Sequence, residues 1–297
     1  MTTASHLSVE EHAPSVQRFA PGKVNLTLAI LGKRTDGYHE LESWARQIDL
    51  RDRLTMRLST EPGLQVSGLI EGVPDNEENL VWRAAQRVAD AAGRPLDVEF
   101  HLEKYLPSGA GLGGGSSDAA ATLLGLNELW GLGWPLEKLY EIAGLLGSDV
   151  PMFVSGHSAI LRGRGERVEI LKDSSKFYMV LIIPSFPLST ARVYARCEVP
   201  ASLAGGRARP WEDGVKESRV LGPLLFNDLE PAAFTCEPML AQLHAVCDGI
   251  DGRSVRLTGS GSSLFALFDQ LEEANAWARA ARSKIPSDVR LQIVSTL

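Results

Sequence analysis

Cysteine is scarce in this chain. Its three copies among 297 residues, Cys197, Cys236 and Cys247, are widely spaced, and no Cys-x-x-Cys pair occurs. That excludes a disulfide framework and a thiolate zinc site, and it fits reduced thiols in a cytosolic protein. Long apolar runs are also lacking. The longest, Met179 to Ile183, is far short of the ~20 residues that cross a bilayer, and the polar stretch from Met1 to Gln17 has no apolar segment of signal-peptide length. A cytoplasmic protein with no membrane partner is expected. Positive charge is in deficit: 30 Lys and Arg stand against 37 Asp and Glu, a formal net charge of −7. Proteins that coat a phosphate backbone carry the opposite sign, so nucleic acid is a poor partner here. A small anionic ligand stays open, because a few local donors suffice for it. No obligate protein partner is evident.

What remains is an ordinary globular composition, 44% hydrophobic and 23% charged, in a chain of a length that suggests about two domains. After a frayed start, Phe19 to Gly32 alternates: Val24, Leu26, Leu28 and Ile30 face one way, Lys23, Asn25 and Thr27 the other. This predicts a half-buried strand with a polar, cationic second face. Arg34 to His39 reads as a turn-rich loop, and strands are expected at Leu54–Leu58, Leu64–Leu69 and Leu96–Leu102. Asn79 can cap a helix running on through Val88. Another helix should start at Ser116 or Ser117 and stop at Gly131, and a third should run from Pro135 to Gly147. A hairpin is expected across Gly163 and Gly165. Beyond it, strands at Tyr178–Ile183, Val255–Thr258, Leu264–Phe268 and Val289–Val294 alternate with helices at Ser189, Pro238–Cys247 and Leu271–Arg282. That order, β-α-β-β-α-β, is the split arrangement of ferredoxin-like domains. Ala204 to Ser218, rich in Gly, Arg and Glu, reads as a mobile loop. His101 and His244 lie in strand and helix patterns and read as structural.

Five glycines fall within seven residues at Gly109, Gly111, Gly113, Gly114 and Gly115, between a strand and a helix. Without Cβ atoms the backbone can turn its N–H groups inward, and the helix start adds unpaired donors and a partial positive charge for phosphate oxygens. Gly109, Gly111 and Gly114 match the dinucleotide pattern Gly-x-Gly-x-x-Gly. That reading needs a second strand ending in an acidic residue ~20 positions on, and Gly131, at a helix end, stands there instead. Neither a Walker A string nor a His-Arg-Asp loop occurs.

The run Pro107 to Asp118, with Ala20-Pro-Gly-Lys-Val-Asn25 before it and Leu257-Thr-Gly-Ser-Gly-Ser-Ser263 after it, resembles the three motifs of the GHMP kinases, the galacto-, homoserine, mevalonate and phosphomevalonate kinase superfamily. Asp36-Gly-Tyr-His39, Ser148-Asp-Val-Pro-Met-Phe153 and Asn227-Asp-Leu-Glu-Pro231 narrow the resemblance to a branch with a cytidylyl substrate. It spans residues 19 to 296 and implies an α+β protein with the two-domain GHMP kinase fold. The N-terminal ribosomal-protein-S5-like α/β domain would occupy residues 18–172 and the C-terminal ferredoxin-like domain residues 173–297.

The resemblance implies phosphorylation of a hydroxyl by ATP with Mg²⁺, Asp149 acting as base and Lys23 as its partner. A lysine beside Asp149 would add positive charge near the transferring group. ATP would be held by Pro107, Ser108, Gly109, Ala110, Gly111, Leu112, Gly113, Gly114, Gly115, Ser116 and Ser117, with Ser117 a candidate metal contact. The small-molecule cytidylyl substrate would meet Asn25, Tyr38, His39, Gly259, Ser260 and Gly261. Sister activities on mevalonate, homoserine or a sugar, and a catalytically inert binding protein on the same fold, remain alternatives.

Overall fold

A computed structural model describes residues 13–172, 175–199 and 216–297, with Pro210, Glu212 and Gly214. Most of the expected loop 204–218 and the expected frayed start lie outside these residues, although Ser218 opens a short helix. Strand β1 (Ser15–Lys33) is longer than its alternating core and pairs along its length with β2 (His39–Leu58), antiparallel. The first fifteen residues of β2 carry no period-2 apolar pattern. They are strand because β1 and β5 supply hydrogen bonds on either side, so His39 begins a strand and does not end a loop. β3 (Gly63–Gly68), β4 (Val98–Lys104), β5 (Ser158–Gly163) and β6 (Arg167–Ile170) complete this side of the sheet, β5 and β6 forming the expected hairpin.

Helices α1 (Leu80–Ala92), α2 (Gly114–Leu129), α3 (Leu136–Leu146) and α4 (Val150–Ser155) cover this part of the molecule. Asn79 caps α1, its side chain accepting from the Val81 N–H at 2.9 Å. Val88, Leu123, Leu126 and Ile142 then pack on Leu54, Met56, Phe100 and Leu102 of the sheet. The short α4 was not anticipated: Val150-Pro-Met-Phe-Val-Ser155 is too short for a 3.6-residue period to register.

The second half builds a four-stranded antiparallel sheet in the order β11-β7-β10-β9 from β7 (Tyr178–Ile183), β9 (Val255–Leu257), β10 (Leu264–Phe268) and β11 (Arg290–Ser295). With α8 (Pro238–Cys247) and α9 (Leu271–Arg282) in the crossovers, this is the expected ferredoxin-like arrangement. Among the described residues the first crossover also carries α5 (Thr190–Arg196), α6 (Ser218–Leu221), β8 (Phe226–Asn227) and α7 (Glu230–Cys236). Two-residue β8 leaves its own half to pair in parallel with β1 at Thr27 and Leu28.

The halves share a core. Val24, Leu26, Trp44 and Ile48 of the large sheet pack with Met179, Leu181, Ile183 and Phe265 of the small one, while Val180 and Ile182 on the other face of β7 pack with Leu240, Leu243 and Trp277. Both faces of β7 are covered, which is why it reads as an unbroken apolar run. Ser295 N–H and hydroxyl each donate to Asp49 at 2.8 Å, tying β11 to β2. Leu181 is fully buried in the shared core. Leu181→Ala is expected to lower stability by ~2–5 kcal/mol while keeping a single transition for both halves, as read by urea unfolding followed in parallel by circular dichroism and tryptophan fluorescence.

Candidate active site

Both faces of β1 are buried, so its second face is polar but not half-exposed as the alternation suggested: Lys23, Asn25 and Thr27 lie beneath the two glycine-containing loops. Lys23 N–H donates to the Leu112 carbonyl at 2.9 Å, and the Asn25 N–H donates to the Thr258 hydroxyl at 3.0 Å. The Lys23 ammonium donates to the Asn25 side-chain oxygen, the Asn25 amide to Ser43 at 2.7 Å, and Ser43 to the Thr27 carbonyl at 2.6 Å. This chain of bonds holds the lysine upright, with its Nζ 3.6 Å from Asp149 Oδ2. Asp149 is the N-terminal flanking residue of α4, so the helix that escaped sequence analysis is what aims it. The lysine side chain is 5% exposed and the aspartate 35%, which leaves the carboxylate reachable from an open cavity.

That cavity, about 1000 Å³, is lined by Lys23, Asn25, Tyr38, His39 and Asp149, by Pro107 through Ser116, and by Gly259 and Ser260. Two of the residues expected here are elsewhere. Ser117 is buried and lines a separate cavity of about 290 Å³ with Arg18, Leu124 and Phe153. Its position comes from where α2 begins: the flanking residue is Gly113 in the left-handed region, φ 73°, with no side-chain cap, so the helix starts two residues before Ser116. Ser116 and Ser117 are therefore not caps but first-turn residues on different faces, and Ser116 faces the main cavity. Gly261 is buried behind the glycine loop and does not line it.

The loop's glycines are required by close approach. A Cβ on Gly111, at φ 77°, would stand 2.3 Å from the Thr258 carbonyl oxygen, and one on Gly113 would stand 2.9 Å from the Phe153 ring. Ser263 N–H donates to the Ala110 carbonyl at 3.2 Å, so the two loops are fastened together. The result is a cradle of backbone at the start of a sixteen-residue helix, with Ser116 and Lys104 beside it. Its donors suit the oxygens of a polyphosphate.

Several cavity residues carry no sequence signal of their own. Tyr194 on α5 lines the cavity with its ring 5.4 Å from that of His39. Burial pushes its phenol above the usual tyrosine range, and the Asp149 carboxylate adds to the rise, so the hydroxyl stays protonated. Burial lowers the His39 imidazole, helped by Lys33, which keeps the ring neutral near pH 7. Thr190 meets Ser260 hydroxyl to hydroxyl at 2.8 Å, linking α5 to the Gly-Ser-Gly turn. His244 bonds the Val255 carbonyl at 3.0 Å outside the site, and neither it nor His101 or His157 lines the cavity.

Under the glycine loop lies a buried triad. Lys104 donates to Asp52 and, at 2.6 Å, to Asp118, whose other oxygen is buried without a partner. Asp52 also accepts the N–H groups of Tyr105 at 2.5 Å and Leu106 at 2.8 Å. Burial alone would lower the Lys104 pKa, yet the two carboxylates hold it above the usual lysine range. One ammonium cannot compensate two buried carboxylates equally. Asp118 is the less well provided, and burial pushes its carboxyl up to about 7. The partners of Asp118, 14 and 66 positions before it in the chain, become visible only once β2, β4 and α2 meet.

Among known proteins, the GHMP kinases N terminal domain matches residues 79–157 and the GHMP kinases C terminal domain residues 202–287. A relative named 4-diphosphocytidyl-2-C-methyl-D-erythritol kinase from Geobacter sp. (strain M21) is 37% identical over 276 residues, 90% of this chain and 98% of the relative. A protein of the same name from Citrifermentans bemidjiense is 39% identical over 91% of this chain and 94% of its own length. A crystal structure of 4-(cytidine 5'-diphospho)-2C-methyl-D-erythritol kinase superposes with a TM-score of 0.77 at 34% identity, covering 95% of this chain and 99% of that one. A homoserine kinase from Cytophaga hutchinsonii, TM-score 0.73 at 20% identity, shares the fold.

The raised Asp118 pKa has a sign. The folded state holds the proton up to about pH 7, whereas an unfolded aspartate releases it near 4. Between those values the folded state binds more protons, so this group's contribution is complete below about pH 4 and is lost as pH rises through about 7. Asp118→Asn should therefore remove a decline in stability between about pH 4 and 7, read from urea midpoints of both proteins across that range. An unchanged pH profile would show that Asp118 is ionised throughout.

Proposed function

The chain belongs to the 4-diphosphocytidyl-2-C-methyl-D-erythritol kinase family of GHMP kinases, and from that membership we propose that it transfers the γ-phosphoryl group of ATP to the 2-hydroxyl of 4-diphosphocytidyl-2-C-methyl-D-erythritol, in the non-mevalonate synthesis of isoprenoid precursors. The observation that carries the chemistry is the Lys23–Asp149 pair, 3.6 Å apart, opening onto the same cavity as the glycine loop. We read residues 18–172 as the nucleotide-binding unit and residues 173–297 as the ferredoxin-like unit that closes the acceptor side. A soluble enzyme working in the cytoplasm on small molecules alone agrees with this chemistry, and among the described residues no helix is long and apolar enough to cross a membrane.

In this reading the acceptor hydroxyl sits at Asp149. Its oxygen bonds to the γ-phosphorus as the bond from that phosphorus to the β,γ-bridging oxygen breaks. The hydroxyl proton goes to the Asp149 carboxylate, and ADP keeps the electron pair of the broken bond. Lys23, fixed by Asn25, lends positive charge to the transferring group. Backbone N–H groups from Gly109 to Gly115, with Ser116, hold the phosphates. Among the described residues no group of three His, Cys, Asp or Glu side chains converges. A magnesium ion would thus arrive with ATP, keeping water and phosphate as most of its ligands, which is its usual habit; the facing hydroxyl is Ser116.

Cytosine fits among Tyr38, His39 and Tyr194. Tyr38 is 52% exposed at the mouth, and its N–H is fixed by Asp36 at 3.1 Å. A neutral His39 can donate from one ring nitrogen and accept at the other, which suits the amide-like edge of the base. Asn25, Gly259 and Ser260 would line the polyol.

A coupled assay offering ATP with the cytidylyl acceptor, mevalonate or homoserine tests the assignment, and turnover is expected with the first alone. Asp149→Asn should fold normally and lose ~10²–10⁴ of kcat, the usual share of a general base; near-native turnover would remove Asp149 from that role. Tyr38→Ala should raise the acceptor KM and leave that for ATP unchanged. An equal rise in both would mean that the ring supports the fold rather than the base.

A further inference from the structure

Four cations line the cavity among the described residues: Lys23, Lys33, Lys104 and Arg164. Lys23 is matched by Asp149, and Lys104 by Asp52 and Asp118. Among the described residues Arg164 and Lys33 form no ion pair. Arg164 stands in the turn between β5 and β6, its N–H donating to Glu166 at 2.7 Å. Its guanidinium carbon lies 5.1 Å from the centre of the Tyr38 ring, and its one side-chain hydrogen bond, to the Gly144 carbonyl, is long at 3.5 Å. The nearby acid Asp36 is already taken up by Arg34 at 3.1 Å and by the Tyr38 N–H. The next residue, Gly165, abuts the catalytic carboxylate: a Cβ there would stand 3.6 Å from Asp149 Oδ1.

Arg164 is thus anchored between Tyr38, where the base is placed, and Asp149, where the hydroxyl is placed. In the acceptor the base and the polyol are joined through a ribose and a diphosphate. We propose that Arg164, supported by Lys33, holds this bridging diphosphate and is a specificity-determining residue for the acceptor. A guanidinium presents two parallel donors to phosphate oxygens, and here it gives up no carboxylate in order to do so. The triphosphate of ATP has its own cradle in the glycine loop, so the two anions are sorted by position. This inference rests on the cytidylyl reading of the acceptor.

The test compares the full-length chain with Arg164→Met and Arg164→Lys. Arg164→Met should raise the acceptor KM by ~10–100-fold, the worth of a hydrogen bond to a charged group, with kcat and the ATP KM within about twofold. Calorimetric binding of cytidine 5'-diphosphate should weaken by the same factor while that of cytidine is unchanged, and Arg164→Lys should recover part of the loss. Equal weakening of cytidine and its diphosphate, or a fall in kcat at constant KM, would overturn the proposal, because Arg164 would then act through the Tyr38 ring or through Asp149. If the wild-type chain neither turns over the cytidylyl acceptor nor binds cytidine, the assigned function fails. Pyrophosphate binding with the ATP site filled by a non-hydrolysable analogue then decides the clamp. Loss of that binding in Arg164→Met supports an anion site at Arg164, and equal binding by both proteins overturns it.

Discussion

The active site depends on two stretches of backbone meeting where neither can carry a side chain. Gly111 stands against the Thr258 carbonyl at a distance no Cβ could tolerate, and Gly259 sits over the Lys23 ammonium and Gly111. That approach presses the loop between β4 and α2 onto the turn between β9 and β10. With the β1–β8 pairing and the shared apolar core, it closes the two halves of the chain over the polar face of β1. Lys23 is buried as a result, with its ammonium 3.6 Å from an Asp149 carboxylate that stays open to the cavity.

Charge is distributed with economy around this closure. The protein as a whole is acidic, yet each cation in the cavity has a distinct setting. Lys104 is locked beneath the glycine loop by two carboxylates and shapes the floor. Lys23 is held by Asn25 beside the reacting position. Arg164 and Lys33, on the side proposed for the acceptor, form no ion pair among the described residues. A net charge of the wrong sign for phosphate binding is therefore compatible with the proposed binding of two polyphosphate compounds, because what counts is the local placement of cations within a Debye length of the ligand.

Burial also selects the chemical state of the two neutral rings that line the cavity together. Tyr194 remains a phenol and His39 an unprotonated imidazole for the same reason: charge on either would be stranded in a poorly solvated wall. In the proposed reaction, groups fixed in one protonation state could read a base by hydrogen bonds without competing for the proton that Asp149 would accept.

The sequence by itself determined the local and the repetitive. The alternation of β1, the cap of α1, the bounds of α3, the ferredoxin-like order of the second half and the density of glycine before α2 all follow from residues adjacent in the chain. The resemblance of its motifs to those of the GHMP kinases pointed to Lys23, Asp149, Tyr38 and His39. Tertiary structure decided whatever depended on distant partners. The long first half of β2 is strand only because β1 and β5 flank it. The start of α2 at Gly114 turned Ser117 away from the cavity. Tyr194 reached His39 only when α5 folded across the mouth, and the Asn25 N–H found its acceptor at Thr258, 233 residues on. The physical reason is common to all of them. Propensity and periodicity report the free energy of short segments, whereas a site on two folded halves is set by burial and close approach, which exist only once both are in place.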